Sequence, residues 1–210
     1  MQPIVLYGNK PLTSPYVFSV FVALEEKGLP FELRTLSLET GEQLAPEFVA
    51  RSITNRVPML THGAFAIAES SAITEYLEDR FAPPEYARLY PEDPEQRARV
   101  RMVQALVRSD FEAIRAERST ATVFGQASPG ALSVAAIAQV ERLCRIAGQL
   151  VSGADATIAG SFSIADVDLA LMLQRLLANQ DPMPQPLAAY ASAIWQRPSV
   201  QAFHARLRAS

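Results

Sequence analysis

The 210-residue sequence predicts two successive parts: a mixed α/β domain over residues 1–81 and an all-helical domain over 93–210. Three observations carry that expectation. Strand and helix patterns alternate up to residue 81, prolines interrupt every regular pattern over a linker at 82–92, and no strand signal follows.

Pro3–Tyr7 is short and apolar, a strand. Val17, Val20, Phe21 and Leu24 recur at helical spacing from Pro15 to Lys27, and Gly28 with Pro30 stops that helix. Phe31–Ser37 alternates as a half-buried strand. Residues 38–55 read as irregular, with a short helix near Pro46–Ala50. Met59–Thr61 and Phe65–Ala68 flank His62-Gly63-Ala64 as a hairpin, and Ser70–Phe81 is a helix with Ile73, Tyr76 and Leu77 on one side. The order βαβ then ββα gives a mixed four-stranded sheet, because a parallel pair needs a crossover and an antiparallel pair only a turn.

Beyond the linker, one long helix is expected from Pro94 to Arg118 and another from Ser133 to Val151, with Val140, Leu143, Cys144, Ala147 and Leu150 inward. Thr120–Gly130 reads as a polar loop. Ser163–Asn179 is apolar nearly all round and predicts a buried central helix. Pro182, Pro184 and Pro186 break the chain before two short helices, Leu187–Trp195 and Pro198–Arg208.

Composition narrows the function classes. A net charge of −3 and 20% charged residues argue against nucleic acid as the main partner. No run of about eighteen apolar residues occurs, so no membrane span is expected. The N-terminus lacks the basic flank and apolar run of a signal peptide, which predicts a cytoplasmic protein. One cysteine excludes an internal disulfide, and with two histidines it leaves no ligand cluster for a metal.

Four motifs stand out, and each has a plain structural reading. Ser14-Pro15-Tyr16 is a helix N-cap followed by a proline at the first helical position. Val57-Pro58 is a turn before a strand. Ser70 or Ser71 behind Glu69 is an ordinary cap. Ser163-Ile164-Ala165-Asp166 has the spacing of a capping box, with Phe162 and Val167 placed as the hydrophobic staple, so Asp166 is expected to be structural. Cys144 reads as a core thiol. Arg108, Asp110, Arg115 and Arg118 share one predicted helix. They read as a solvated face.

Taken in order, these residues resemble the cytosolic glutathione S-transferases, and the resemblance spans nearly the whole chain. Ser14-Pro15-Tyr16 stands where the serine- and cysteine-type classes (zeta, tau, omega and related bacterial proteins) carry the catalytic residue. Arg56-Val57-Pro58 is similar to the family's Val-Pro turn, whose proline is cis. Glu69-Ser70-Ser71-Ala72-Ile73 is similar to its acidic-Ser glutathione motif, and Gly160–Asp166 to its buried helix cap.

The resemblance implies a thioredoxin-like first domain and a helical second domain forming an electrophile pocket. It implies a homodimer and glutathione as co-substrate, used on a small electrophile or a peroxide. Ser14 is then the donor to the glutathione thiolate, with Tyr7 near the end of the first strand as the rival, and Arg56, Val57, Glu69 and Ser70 bind the tripeptide. The chain departs from the family at Ser19, where many relatives carry a basic residue, and at Ile53-Thr54-Asn55-Arg56, where many read Asn-Pro. The alternative is a non-catalytic relative acting as a binding or interaction module.

Overall fold

The computed structural model of the chain describes residues 2–125, 130–151 and 157–209. It divides into two compact units, Met1–Leu89 with Gln201–Ser210, and Tyr90–Val200.

The first unit is built on strands β1 (Ile4–Asn9), β2 (Glu32–Leu36), β3 (Met59–His62) and β4 (Phe65–Ala68), in the order β2-β1-β3-β4. β1 and β2 are parallel, and the other two pairs are antiparallel. This is the sheet expected from the sequence. Helix α1 (Pro15–Glu26) makes the parallel crossover, and α3 (Ser70–Arg80) follows the hairpin. The hairpin closes on Gly63 at φ +60°, a left-handed conformation at the first central position of a two-residue loop. One turn of helix, α2 (Pro46–Val49), lies in the connection between β2 and β3, after a 3₁₀ turn at Glu42–Leu44.

Ser14 caps α1, and the helix ends in a Schellman motif: Leu29 N–H donates to Leu24 at 3.1 Å and Gly28 N–H to Glu25 at 3.0 Å, with Gly28 left-handed. The one-sided apolar stripe expected for this helix is not what forms. Every residue from Val17 to Leu24 is buried. The sheet takes one side, where a Cβ on Gly8 would stand 2.9 Å from Val17. Phe203, from the end of the chain, takes another, its ring edge-on to Phe18 at 5.0 Å and to Phe21 at 5.2 Å. The sequence placed Phe203 in the helical domain, whereas its packing belongs to the first unit. Strand β2 is an edge strand and more exposed than the alternation implied: only Leu33 and Leu36 are partly covered.

A buried ion pair ties the unit together. Lys27 Nζ lies 2.8 Å from Glu78 Oε2 and also donates to the carbonyls of Phe81 and Ala87, each at 2.8 Å. Glu78 in turn accepts the Leu89 N–H at 2.9 Å.

In the second unit, helix α8 (Ile164–Leu177) is the central element, buried at every residue from Ile164 to Leu176 as its composition predicted. Asp166 closes the predicted capping box on Ser163 and does more. It accepts from Ser163 N–H and Oγ–H at 2.8 Å, and from Ile158 N–H and the Tyr190 hydroxyl at 2.9 Å. Burial pushes its carboxyl above the ordinary range, while these hydrogen bonds pull it back.

The long helix expected over Pro94–Arg118 is two helices, α4 (Pro94–Ser109) and α5 (Glu112–Glu117), broken at the buried, left-handed Phe111, φ 62°. One distant and one local side chain hold the break. Gln139 Oε1 accepts the Ala113 and Ile114 N–H groups, capping α5, and Arg115 donates to the Asp110 and Val107 carbonyls at the end of α4. The expected polar loop at Thr120–Gly130 begins with a helical turn, α6 (Thr120–Val123); residues 126–129 lie outside the described residues. Helices α7 (Val134–Leu150) and α9 (Gln185–Trp195) complete the unit, and α10 (Pro198–Ala209) ends the described chain. Of the inward residues expected on α7, Leu143 and Ala147 are buried, whereas Val140, Cys144 and Leu150 are only partly covered.

Candidate functional site

Strand register brings the predicted site segments together. Tyr7 pairs with Met59, and Met59 with Ala68, in one row across the sheet. Strands lie about 4.8 Å apart, so this row spans about 10 Å. Three segments join the sheet at that row. The chain from Asn9 to Ser14 leaves β1, Arg56-Val57-Pro58 enters β3, and Glu69-Ser70 leaves β4 for α3. An extended tripeptide is about 10 Å long, which matches the spacing.

Ser14 is half-buried at the start of α1. Its Oγ accepts the Val17 N–H at 3.3 Å, and its own N–H donates to Asn9 Oδ1 at 3.1 Å. Asn9 also donates to Thr13 Oγ1 at 3.0 Å, so one side chain braces the whole turn before the helix. The sequence reading passed over Asn9; its signal was an amide directly after a strand, where such side chains organise turns. With Oγ accepting from the backbone, the Ser14 hydroxyl proton is left to donate, and no described residue receives it. The N-terminal N–H groups and dipole of α1 favour an anion beside it.

Val57-Pro58 is a cis peptide bond, as the resemblance implied. Among the described residues neither the N–H nor the C=O of Val57 makes a hydrogen bond, so both are available to an extended peptide laid alongside. Arg56 is exposed, with its N–H on Thr54 Oγ1 at 3.3 Å.

Glu69 takes the N-cap position of α3 at φ 70°, ψ 113°, and its side chain makes no cap. Ser70 is therefore the first helical residue, 5% exposed, and not the cap that the sequence suggested. A non-glycine residue in this backbone region costs on the order of 1–3 kcal/mol and persists where its surroundings enforce it. The result is an exposed carboxylate beside a helix N-terminus that no capping side chain fills. An ammonium and a carboxylate on one ligand end match that pair.

Tyr7 is placed differently. It is 9% exposed, packs edge-on against Phe48 at 5.7 Å, and shares an apolar cluster with Val5, Phe48 and Met59. Its phenol makes no hydrogen bond among the described residues, and Arg34 is its register partner across β1 and β2. Ser19, where a basic residue was missing, is fully buried on α1. The arginines read as a solvated face are engaged. Arg108 pairs with Asp168 at 3.0 Å, and Arg118, only 4% exposed, pairs with Asp181 at 2.6 Å. Among the described residues, no group of His, Cys, Asp and Glu side chains could hold a metal ion, and no helix is long and apolar enough to cross a membrane.

Family models match the chain on both sides of the linker. Residues 13–80 match the glutathione S-transferase N-terminal domain and residues 93–209 its C-terminal domain. The chain belongs to the glutathione S-transferase family. A glutathione transferase homolog from Burkholderia, solved with bound glutathione, is 37% identical, covers all of both chains and superposes with a TM-score of 0.80. Mouse glutathione S-transferase theta-3 is 28% identical over 96% of this chain and 79% of its own length. Glutathione S-transferase 1 of Dianthus caryophyllus is 38% identical over 49% of this chain, a stretch that spans 45% of that relative's length. Within this transferase family, the cis Val57-Pro58 bond and the Glu69-Ser70 helix start are the local features that the sequence reading tied to tripeptide binding.

Proposed function

We propose that the chain is a glutathione transferase that binds the tripeptide along the Tyr7–Met59–Ala68 edge and uses Ser14 to stabilise its thiolate. The observation that carries this reading is the unpaired N–H and C=O of Val57, midway between the Ser14 and Glu69-Ser70 segments. Val57 pairs with the cysteinyl backbone. Glu69 meets the γ-glutamyl ammonium, and Ser70 with the α3 N-terminus meets its carboxylate. Arg56 is the exposed cation on the strand side of the site. The sulfur lies at the α1 N-terminus, where the Ser14 hydroxyl donates to it and the thiol proton leaves to solvent. The thiolate then forms a bond to an electrophilic carbon as the leaving group departs, or attacks the O–O bond of a peroxide, releasing the alcohol and leaving a glutathione sulfenic acid that a second glutathione converts to the disulfide and water. Tyr7 is the weaker candidate for the donor, because its ring lies on the sheet face under α2, packed on Phe48.

Ultraviolet thiolate absorbance against pH tests the assignment. Ser14→Ala should raise the pKa of bound glutathione, one unit corresponding to about 1.4 kcal/mol, and leave tripeptide binding intact. Tyr7→Phe should leave the titration where it was. A shift in Tyr7→Phe alone would hand the role to the tyrosine, and failure of the parent to bind glutathione would make the chain an interaction module.

We also propose a homodimer, in which a second copy covers Phe65. This ring is 47% exposed on the edge strand β4 and packs tilted against Tyr76 at 4.9 Å. Light scattering giving a mass near 22.9 kDa would contradict it.

A further inference from the structure

The sheet face carrying Val5, Tyr7 and Met59 is roofed by a single helical turn, α2, of which Phe48 is the buried residue. Four residues of helix cannot cover four strands. Beside Phe48 a cavity of about 360 Å³ remains, within the size range of small-molecule sites. Its apolar floor is Tyr7, Leu36, Phe48 and Met59, and its charged rim is Arg34, Glu42, Glu47 and Arg51. Ser14, Val57, Glu69 and Ser70 are absent from the lining.

The polar groups divide into spent and unspent. Arg34 is clamped on Glu32 at 2.7 and 2.9 Å, and Glu42 accepts the Ser37 N–H at 2.8 Å. Tyr7, nine-tenths buried, makes no side-chain hydrogen bond among the described residues, so its hydroxyl is free to donate. The side chains of Glu47 and Arg51 make no hydrogen bond or ion pair among the described residues. What is left over is one hydroxyl donor, one cation and one anion around an apolar floor.

We propose that this pocket binds a free α-amino acid with an aromatic or branched apolar side chain. Its carboxylate accepts from the Tyr7 hydroxyl and pairs with Arg51, its ammonium pairs with Glu47, and its side chain lies against Phe48, Leu36 and Met59. Rim charges of both signs select a zwitterion over a simple anion or cation. Met59 directly follows Pro58, and Val57 packs on the same apolar cluster, so the occupant touches the base of the strand that positions Val57.

Titration calorimetry of the full chain with L-phenylalanine and L-leucine tests this. Saturable binding is expected, weakened about tenfold by loss of one charged partner in Arg51→Gln or Glu47→Gln. Both positions are exposed, so the variants keep the fold, which circular dichroism checks. Phenylacetate and phenethylamine, each missing one charge, should bind correspondingly more weakly. Absence of saturable binding at millimolar ligand overturns the proposal, as does phenylacetate matching phenylalanine. Competitive displacement of phenylalanine by glutathione also overturns it, by making the cavity part of the tripeptide site.

Discussion

Replacing Asp166 by asparagine separates structure from chemistry at a buried side chain of the second unit. The carboxylate accepts four hydrogen bonds, two at Oδ1 from Ile158 and Tyr190 and two at Oδ2 from Ser163. Asparagine keeps the shape but offers one acceptor oxygen, so two bonds lose their charged acceptor: one backbone N–H faces an amide NH₂, and the hydroxyl beside it must turn to accept. Bonds to a charged acceptor are worth about 1.5–3 kcal/mol each, and two of them make about 3–6 kcal/mol. Removing a desolvated charge gives back part of this, leaving a net loss of about 2–4 kcal/mol. For a chain of this size that lowers the melting midpoint by roughly 5–15 °C. Differential scanning calorimetry reads the midpoint, and glutathione affinity well below it should be unchanged. A variant melting within about 1 °C of the parent would refute the four-donor account. Normal melting with lost turnover would make Asp166 a chemical residue instead.

Other outcomes follow from the same bookkeeping. Lys27→Met strands the buried Glu78 carboxylate and should cost about 3–5 kcal/mol in denaturant titrations, whereas Glu78→Gln retains an acceptor for the Leu89 N–H and should cost less. His62, buried with Nδ1 2.8 Å from the Tyr76 hydroxyl, titrates below its ordinary value because burial disfavours the imidazolium. The unfolded chain therefore binds the proton first, and stability present above the unfolded pKa falls on acidification through it toward the folded one. His62→Gln should flatten the melting midpoint against pH between about 7.5 and 5.5, though not fully, since His204 is shifted the same way. An unchanged slope would remove His62 as the cause. Glu69→Gln should weaken glutathione about tenfold to a hundredfold by calorimetry.

What could be read from the sequence was local. The mixed sheet follows from connection lengths, the Ser163–Asp166 cap from an i, i+3 spacing, and the three segments proposed to bind the tripeptide from short motifs at helix and strand starts. The features that escaped depend on residues far apart in the chain. Lys27 and Glu78 are separated by 51 positions, and nothing in either neighbourhood announces a buried pair. The break at Phe111 is held by Gln139 on another helix, so helical spacing ran straight through it. Tyr7 sits near the right end of β1 for a catalytic hydroxyl, but strand alternation, which sends Tyr7 and Met59 to the α2 face, depends on a register that appears only when the strands pair. Asn9 was missed because an amide in a turn is common.

The packing of Phe203 on Phe18 and Phe21 gives the first unit a temporal problem. Its aromatic core is closed by a residue made some 180 positions after α1. During synthesis, at about 5–20 residues per second, the sheet and α1 can form while two phenylalanine rings stay uncovered for roughly ten seconds or more. The nascent chain thus carries an apolar surface through the whole translation of the second unit. Any truncation between 90 and 200 makes that exposure permanent, so such fragments should be substrates for chaperones and proteases even when their sheet is formed.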